Sequence, residues 1–324
     1  MFGALLAFSS AAFFGLNNAT VRRGVLKSTV LQGMAITVPL GVPIFLIFAL
    51  LMGGFEAMAA WEVSSWFWMA LAGVVHFVIG RYGNYRATQT LGATLSTPVQ
   101  QLSILIALVL AFIFLDETVN AVKVLGIVLV IVGPMMVVRR RKATTTAGRA
   151  KGFEPQYLPG IFWGGVCAFG YGASPLFIAL GIGEGGLSDS VAGVFVSYVC
   201  AAVVVGALVV AAGGRTYMTG LDNGSRGWFL ASTLFVALSQ LFRYLALAVA
   251  PVAVVVPIQR LSVVFRIFFN AIINREHEVF DGWVIFSILL AVLGAVALAG
   301  DTETILDWLG FGASLIERLS MPLI

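Results

Sequence analysis

The chain has 324 residues, of which 60% are hydrophobic and 10% charged, with a mean hydropathy of +1.01 and a net charge of +4. Soluble domains carry about 25% charged residues, so this composition excludes a water-soluble globular fold. The positive charge does not indicate nucleic-acid binding, because the basic residues lie mainly in stretches between apolar runs, where they set membrane orientation. The apolar runs are continuous rather than alternating, which predicts an all-α integral membrane protein instead of a transmembrane barrel.

Ten apolar runs are long enough to cross a bilayer, where a span needs about 20 residues. The predicted spans 1 to 10 are about 2–20, 28–53, 66–86, 92–115, 119–138, 157–180, 190–213, 228–249, 252–274 and 282–300. We divide the chain into a first five-helix repeat (1–138), a basic cytoplasmic linker (139–156), a second five-helix repeat (157–300) and an amphipathic C-terminal tail (301–324). Because each half has an odd number of spans, the second half enters the membrane inverted, an arrangement typical of secondary transporters.

The charges of the loops predict the orientation of the spans. Basic residues follow the odd-numbered spans: Arg22, Arg23, Lys27, Arg86, six residues of the linker, Arg215, Arg226 and Arg275. Acidic residues occupy the opposite loops: Glu56, Glu62, Asp116, Glu117, Glu184 and Asp189. Since positive loops stay in the cytoplasm, this bias places both termini outside it.

Several residues inside the spans predict packing rather than chemistry. Prolines 39, 43 and 175 are expected to kink spans 2 and 6. A stripe of small residues at every fourth position of span 6 (160, 164, 168 and 172) predicts close contact with a neighbouring span. The two cysteines, Cys167 and Cys200, have no metal-type spacing and are interpreted as small packing residues. The tail is predicted to form a helix in the membrane interface, with disorder as the alternative.

A short polar motif occurs twice inside apolar sequence. Pro98-Val99-Gln100-Gln101-Leu102-Ser103 in span 4 is matched 159 residues later by Pro257-Ile258-Gln259-Arg260-Leu261-Ser262 in span 9. The same shift aligns Tyr85 with Tyr244 and Glu117 with Glu276, which indicates a duplicated unit. Each proline removes a helical hydrogen bond, and the freed carbonyls must face protein, water or ligand within lipid.

The motif predicts a polar face on both spans. Gln100, Gln101 and Ser103 come from span 4, whereas Gln259, Ser262 and Arg266 come from span 9. We predict that these side chains bind substrate near the middle of the membrane. The structural alternative is hydrogen bonding between helices, which stabilises by only about 0.6 kcal/mol per contact.

Two arginines inside the spans are the most specific indication of what the protein binds. Arg243 and Arg260 lie well inside spans 8 and 9, where an arginine costs about 2.5–3.5 kcal/mol. We find no acidic residue in these spans that would pair with them, so they predict binding of a carboxylate or phosphate. The alternative is that they reach the interface or bind helix-end carbonyls.

Further polar residues complete the predicted site. Span 1 contributes Asn17 and Asn18, span 3 contributes Asn84 and Tyr85, and spans 6 and 8 contribute Tyr171, Ser174 and Tyr244. Arg81 and Tyr82 fit either the site or an interface anchor. His76 is interpreted as a hydrogen-bonded histidine, with proton carriage as the weaker alternative. The sequence indicates no metal site and no cofactor.

The layout resembles the EamA-type carriers of the drug/metabolite transporter superfamily. The resemblance rests on ten spans in two halves, Phe14-Gly15-Leu16-Asn17 in span 1, the hairpins at Pro98 and Pro257, and an acidic residue just after spans 4 and 9. It covers about residues 2–300. The resemblance implies a monomeric or weakly associated carrier, with a central cavity lined by spans 1, 3, 4, 6, 8 and 9. It also implies cytoplasmic termini, in contrast to the loop charges.

The sequence therefore predicts a secondary-active transporter of a small organic solute, an amino acid or an anionic metabolite, in a prokaryotic plasma membrane. Its expected partners are the substrate and the lipid bilayer, with a monomer or weak homodimer as the assembly. Two alternatives remain at this point. One is a membrane assembly subunit without transport activity, and the other is a membrane enzyme acting on lipid-linked phosphate, for which no grouping of His, Asp and Glu is evident.

Overall fold

The structure is a computed structural model, and it describes most of the two predicted repeats. The described residues are 1–115, 120–129, 131–132, 135, 156–273, 286, 289–290, 293–294, 297 and 302–322. Within these ranges, the side chains of 92–95, 97–98, 101, 108 and 271 are not described. The linker prediction and the acidic residues after spans 4 and 9 thus lie outside the described residues, apart from position 156.

Seven helical stretches are long and apolar enough to cross a membrane among the described residues. They are Phe2–Gly24, Val30–Leu51, Val63–Leu91, Tyr157–Ile182, Leu187–Ala211, Asn223–Val249 and Val252–Asn270, which correspond to spans 1, 2, 3, 6, 7, 8 and 9. A shorter apolar helix, Leu102–Phe114, occupies span 4. The chain is thus a multi-pass membrane protein with a helical fold. Spans 5 and 10 fall largely outside the described residues, so the count of ten stays a prediction.

Two of the spans begin with side-chain caps that the sequence encodes. Thr29 and Gln32 form a capping box at the start of span 2, in which the Gln32 N–H donates to Thr29 Oγ1 at 3.2 Å and the Thr29 N–H donates to Gln32 Oε1 at 3.0 Å. Asp222 caps span 8 by accepting the Ser225 N–H at 2.8 Å. These bonds satisfy donors that the helix leaves open.

Proline interrupts span 2 but not span 6. Span 2 consists of two helices, Val30–Thr37 and Gly41–Leu51, with Pro39 in the turn between them. The kink predicted there is confirmed as a complete break, since proline removes one helical hydrogen bond. Span 6 is assigned as one helix, Tyr157–Ile182, which continues past Pro175.

Span 3 changes its helical type at its centre. An α-helix over Val63–Gly73 is followed by a π-helix over Val74–Gly80 and then by a helical segment over Arg81–Phe114. That long segment cannot be straight. Gly83 packs against Cys167 of span 6, and Val99 packs only three residues away, against Gly164.

Sixteen residues of straight helix would separate Gly83 and Val99 by about 24 Å. The chain therefore reverses direction between them, in the stretch that carries Pro98. This reversal is the predicted hairpin of spans 3 and 4.

Span 9 is discontinuous near its middle. It consists of helices Val252–Gln259 and Ser262–Ile273, with Arg260 and Leu261 in a turn between them. The Arg260 N–H is shared between the carbonyls of Val256 at 3.3 Å and Pro257 at 3.0 Å. The break comes three residues after Pro257, and it leaves Arg260 at the junction of two half-helices.

The first span of each half packs against the third and fourth spans of the other half. Span 1 lies chiefly against spans 8 and 9, and span 6 lies chiefly against spans 3 and 4. The stripe of small residues on span 6 forms part of this contact, because Gly160 abuts Leu91 and Gly172 abuts the Ser103 carbonyl. The packing role predicted for the stripe is thus confirmed at these positions.

The two ends of the bundle are closed by different contacts between the halves. At one end, Trp61 Nε1 donates to Asp189 Oδ1 at 2.8 Å. At the other end, Gln32 Nε2 donates to the Tyr217 carbonyl at 3.0 Å. Loops that the charge pattern assigns to the same side of the membrane therefore meet.

The C-terminal tail forms two short helices rather than the single helix predicted. They span Thr302–Trp308 and Ala313–Ser320. Gly310, with φ of +79°, lies between them in a left-handed conformation that ends the first helix. Trp308 is 85% exposed, as expected of a segment with an apolar face available to the interface.

Candidate functional site

A narrow polar cavity lies between spans 1, 3, 6, 8 and 9. Ten residues line it: Ser10, Phe14, His76, Tyr171, Ser239, Gln240, Arg243, Gln259, Arg260 and Ser262. Its volume, taken as the space open to the centre of a water molecule, is about 20 Å³. That is room for about one water.

A second cavity of similar size adjoins the first. It is lined by Phe14, Asn18, Gln100, Tyr171, Arg260, Ser262, Val263 and Arg266. Four residues, Phe14, Tyr171, Arg260 and Ser262, border both cavities, so we treat the two as lobes of one central site. Gln100 and Gln259, the two glutamines of the repeated motif, face this site from opposite halves of the chain.

Arg260 occupies the boundary between the two lobes. Its side chain is half-buried, and its Nε is fully buried without a hydrogen-bond partner among the described residues. The Nε2 of Gln100, in the second lobe, also has no such partner. Two buried N–H donors at one site can thus still bind an acceptor. Leaving a buried donor without an acceptor destabilises a protein by about 1–3 kcal/mol.

Arg243, in contrast, is bound by neutral groups. It is 3% exposed, and its Nη2 donates to Ser174 Oγ at 2.8 Å. Its Nη1 lies 2.8 and 3.0 Å from the two ring nitrogens of His76 and 3.3 Å from Gln240 Oε1. The guanidinium is therefore held in place by neutral groups, and none of its contacts among the described residues is a carboxylate.

His76 is positioned by the π-helix of span 3. The segment follows Gly73 and ends at Gly80. An added Cβ would lie 2.2 Å from the Ser197 carbonyl oxygen at Gly73 and 2.7 Å from the Tyr171 ring at Gly80. These close approaches bring span 3 against spans 7 and 6. The His76 ring stacks on Tyr171, with ring centroids 4.5 Å apart, and its Nδ1 lies 2.8 Å from Ser174 Oγ. A π-helix often marks a functional site.

Serines join spans 1 and 8 beside the first lobe. Ser10 Oγ donates to the Ser239 carbonyl at 2.8 Å, and Ser239 Oγ donates to the Ser10 carbonyl at 2.9 Å. Gln259 Nε2 then donates to Ser10 Oγ at 3.0 Å. This chain of bonds fixes the amide of Gln259 at the cavity wall.

Asparagines form a second polar cluster near the second lobe. Asn84 Nδ2 lies 3.2 Å from Asn18 Oδ1 and 3.4 Å from the Tyr171 hydroxyl. Asn18 itself lines the second lobe and donates to the Phe14 carbonyl at 2.9 Å. The cluster supports Tyr171, whose ring borders both lobes.

The structure brings eight of the predicted site residues to the cavity wall: Asn18, Gln100, Tyr171, Arg243, Gln259, Arg260, Ser262 and Arg266. Six others lie behind the wall: Asn17, Asn84, Tyr85, Ser103, Ser174 and Tyr244. The side chain of Gln101 lies outside the described residues. Substrate binding by any of these residues stays a prediction.

The residues behind the wall make contacts with the protein instead. Asn17 Oδ1 accepts from Ser232 Oγ at 2.6 Å, Ser103 Oγ donates to the Gln100 carbonyl at 2.6 Å, and the Tyr244 hydroxyl donates to Ser197 Oγ at 2.9 Å. Ser174 bridges His76 and Arg243. The hydroxyl of Tyr85 is buried without a partner among the described residues.

Arg81 is not an interface anchor. It is 2% exposed and donates from Nη2 to the Tyr198 hydroxyl at 2.9 Å, with the Phe77 ring centroid 5.0 Å from its Cζ. Cation–π contacts of this kind compensate part of the cost of burying the charge. Tyr82 is half-buried against Trp163, with ring centroids 5.1 Å apart.

Sequence reasoning did not assign four polar wall residues to the binding site: Ser10, His76, Ser239 and Gln240. The repeat register carried a signal for one of them. Gln240 stands 159 residues after Arg81, the same shift that relates the two motifs. His76 was noticed as a solitary histidine, but the glycines at 73 and 80 that frame it were not connected with it.

The charge of the central site is positive. Three arginines, at 243, 260 and 266, line its two lobes, and no Asp or Glu is among the described lining residues. Guanidinium groups present paired donors that match carboxylate and phosphate. The arrangement is therefore suited chemically to hold an anionic group, with hydrogen bonds to the rest of the ligand from glutamine and serine.

Comparison with known proteins agrees with the fold. Residues 1–139 match the model of the EamA-like transporter family, which confirms over those residues the family resemblance predicted from the sequence. No curated protein matches the chain. A solved structure titled "Crystal structure of protein" shares 15% identity with a TM-score of 0.67, and the match covers 91% of this chain and 96% of that chain. At this identity the likeness shows the fold alone.

Proposed function

Because its residues 1–139 match the EamA-like transporter family, we propose that this membrane protein is a secondary-active carrier of a small organic solute with a negatively charged group, an amino acid or an anionic metabolite. It works by alternating access around the central site. The chain forms ten spans in two inverted five-helix repeats. The membrane is the plasma membrane of a prokaryote, and the carrier acts as a monomer or weak homodimer.

The packing of the spans supports the inverted repeat. In the register of 159 residues, span 6 corresponds to span 1, and spans 8 and 9 correspond to spans 3 and 4. A two-fold relation between the halves then requires that span 1 pack on spans 8 and 9 if span 6 packs on spans 3 and 4. Both contacts are extensive. The site at their junction is where inverted-repeat carriers bind substrate, often beside a broken helix such as span 9.

The observation that carries the proposal is a cation-lined cavity with unused donors. Arg243 and Arg260 reach it from spans 8 and 9, and the described wall provides no acidic side chain. A charge inside a membrane protein that has no internal counter-ion marks a substrate or ion pathway. A carboxylate or phosphate of the solute would accept from Arg260, whose Nε has no partner among the described residues.

The size of the cavity supports alternating access. Each lobe holds about one water, so an amino acid or larger metabolite does not fit in this conformation. Entry requires the two halves to separate at one end of the bundle. The Trp61–Asp189 and Gln32–Tyr217 contacts close opposite ends, and each would break in one of the two open states.

Counterflow in liposomes tests the proposal. The purified protein is reconstituted into vesicles loaded with an excess of one unlabelled solute, and entry of the same labelled solute is followed at equal pH on both sides. The panel contains amino acids, dicarboxylates and sugar phosphates. We expect labelled solute to accumulate transiently for at least one anionic or zwitterionic class.

Protein-free vesicles serve as the blank. Vesicles with the Arg260→Gln protein serve as the second control, because this variant should not transport the solute. Thermal shifts with the same panel distinguish a carrier from an assembly subunit, which should bind none of the solutes. Failure of every anionic and zwitterionic solute in both assays would overturn the proposed function.

A further inference from the structure

We propose that His76 binds a proton that is transported together with the anion, so that the carrier is a proton symporter. This inference rests on the proposed function, because it assigns the co-substrate of the same central site. It concerns the pair formed by His76 and Arg243, both of which line the first lobe.

The contact between these two side chains requires a neutral histidine. Arg243 Nη1 lies 2.8 Å from Nδ1 and 3.0 Å from Nε2 of His76, and a guanidinium can only donate. The ring nitrogen that accepts must therefore carry no proton. Protonation of that nitrogen removes the acceptor and places two positive charges about one hydrogen-bond length apart.

An anion in the cavity reverses the preference of His76 for its neutral form. Arg243 and Arg260 line the same lobe as His76, so an anion bound there lies close to all three groups. Its charge offsets the repulsion between the imidazolium and the guanidinium, and Arg243 turns its released Nη1 to the anion. The anion thus favours protonation, and by reciprocity the proton favours anion binding.

The other charged and titratable groups around His76 do not provide an alternative counter-ion. Its neighbours are Arg81 from its own span, Tyr171 from span 6, Arg243 from span 8 and Arg260 from span 9. No carboxylate is among these described groups. The negative charge that stabilises a protonated His76 must then come from the solute.

The proton reaches the ring through the cavity itself. His76 is 5% exposed and forms part of the wall, so water from whichever side is open can deliver a proton to it. When the carrier opens to the other side and the anion leaves, the repulsion from Arg243 returns and the proton is released. One proton then accompanies each anion.

This coupling has a defined thermodynamic signature. With the membrane potential clamped at zero, one proton per solute allows about tenfold accumulation for each pH unit of inward gradient, because a tenfold ratio and one pH unit correspond to the same free energy. Without coupling, the solute does not accumulate. Counterflow at equal pH requires no net proton movement, so it measures carriage independently of coupling.

The test compares wild type with His76→Gln in liposomes at symmetric pH and with an inside-alkaline gradient of one unit. Potassium and valinomycin clamp the potential, and entrapped pyranine reports luminal pH. The probes are labelled succinate, glutamate and glucose 6-phosphate, which are charged throughout and cross lipid slowly. His277→Gln, at the only other histidine of the chain, is the matched control.

We expect wild type and His277→Gln to accumulate a probe about tenfold under the gradient, with acidification of the lumen. For His76→Gln, we divide the accumulation under the gradient by the counterflow of the same variant. This ratio should fall to the value of an uncoupled carrier, for which the pH gradient causes no accumulation. Wild-type counterflow without any effect of the gradient, or without acidification, would overturn the inference while leaving the proposed function intact.

Absence of counterflow by wild type with all three probes and with the wider panel would overturn the proposed function and this inference with it. If His76→Gln does not fold, as judged by gel filtration, the wild-type gradient and pyranine measurements still decide whether the carrier is a proton symporter, and an uncoupled wild type overturns the inference. Retention of full coupling by a folded His76→Gln protein would show that the proton binds elsewhere.

Discussion

Replacement of Arg260 by glutamine is expected to abolish transport without lowering stability. The residue lies at the break in span 9, borders both lobes of the central site and has a buried Nε that makes no bond with the described residues. Its removal therefore deletes no hydrogen bond from Nε, and it relieves the cost of a charge inside the membrane. That cost is about 2.5–3.5 kcal/mol at the centre of a span. Because Arg260 is only half-buried, we expect a gain of about 1 kcal/mol or less in unfolding free energy.

The loss of binding should be much larger. Removing one partner of a buried, hydrogen-bonded charge pair costs about 2–5 kcal/mol. At 1.4 kcal/mol for each tenfold change, the affinity for an anionic solute falls roughly 30- to 4,000-fold. The measurements are counterflow in liposomes and the midpoint of thermal unfolding in detergent.

Arg226→Gln, which makes the same change at an exposed position near the start of span 8, is the matched control and should transport normally. The reasoning is refuted if Arg260→Gln transports at the wild-type rate. It is also refuted if the variant unfolds several degrees lower, since that result would make Arg260 a structural residue.

Three further predictions concern packing, orientation and pH. Gly73→Ala should destabilise the protein by about 1–3 kcal/mol, because its Cβ would lie 2.2 Å from the Ser197 carbonyl oxygen. The control is Gly165→Ala, whose Cβ would meet nothing within 4 Å and which should be neutral or slightly stabilising in thermal unfolding. Equal shifts of the unfolding midpoint in the two variants would contradict the packing argument. A reporter fused at residue 145 should give a cytoplasmic signal and one fused at the C-terminus an external signal, as the loop charges predict. An external signal at residue 145 and a cytoplasmic signal at the C-terminus would instead favour the family's usual orientation. The backbone N–H of Ser225 donates to Asp222 and holds the pKa of this carboxyl below its ordinary value. The Asp222 cap therefore stabilises span 8 fully at a pH above the ordinary pKa. The stabilisation is lost as the pH falls through the lowered pKa of the folded protein. Asp222→Ala should therefore be less stable than wild type at neutral pH, and the gap between their unfolding midpoints should close in acid; a gap independent of pH would exclude the ionised cap.

The repeated motif allowed the sequence to predict that polar side chains of spans 4 and 9 lie near each other. Proline followed by glutamine in apolar sequence is costly in lipid, and its duplication pointed to two elements that meet. Gln259 lines the first lobe of the central site and Gln100 the second, whereas binding of substrate by either stays a prediction. The direction of other side chains could not be predicted, because it depends on where the chain between Gly83 and Val99 reverses. Ser103 therefore fell behind the wall although it shares a predicted face with Gln100.

The shared burial of Arg81 and His76 could not be predicted, for a different reason. Predictions of helical faces assume 3.6 residues per turn, and the π-helix between them changes that period. A histidine and an arginine five residues apart would point in different directions on an ideal α-helix, whereas in span 3 both are buried in the centre of the bundle. The sequence of residues 74–80 alone does not indicate this change, which coincides with close contacts of Gly73 with span 7 and of Gly80 with span 6.

The π-helix also determines how span 3 would respond to a change in its length. Loss of one residue from Val74–Gly80 would allow an ordinary α-helix, and each residue of such a helix turns the chain by about 100°. Because a turn of π-helix holds one residue more than a turn of α-helix, the helices on either side would keep nearly their present orientation. The extra residue therefore changes which side chains span 3 presents around His76, while the helices before and after it stay in place.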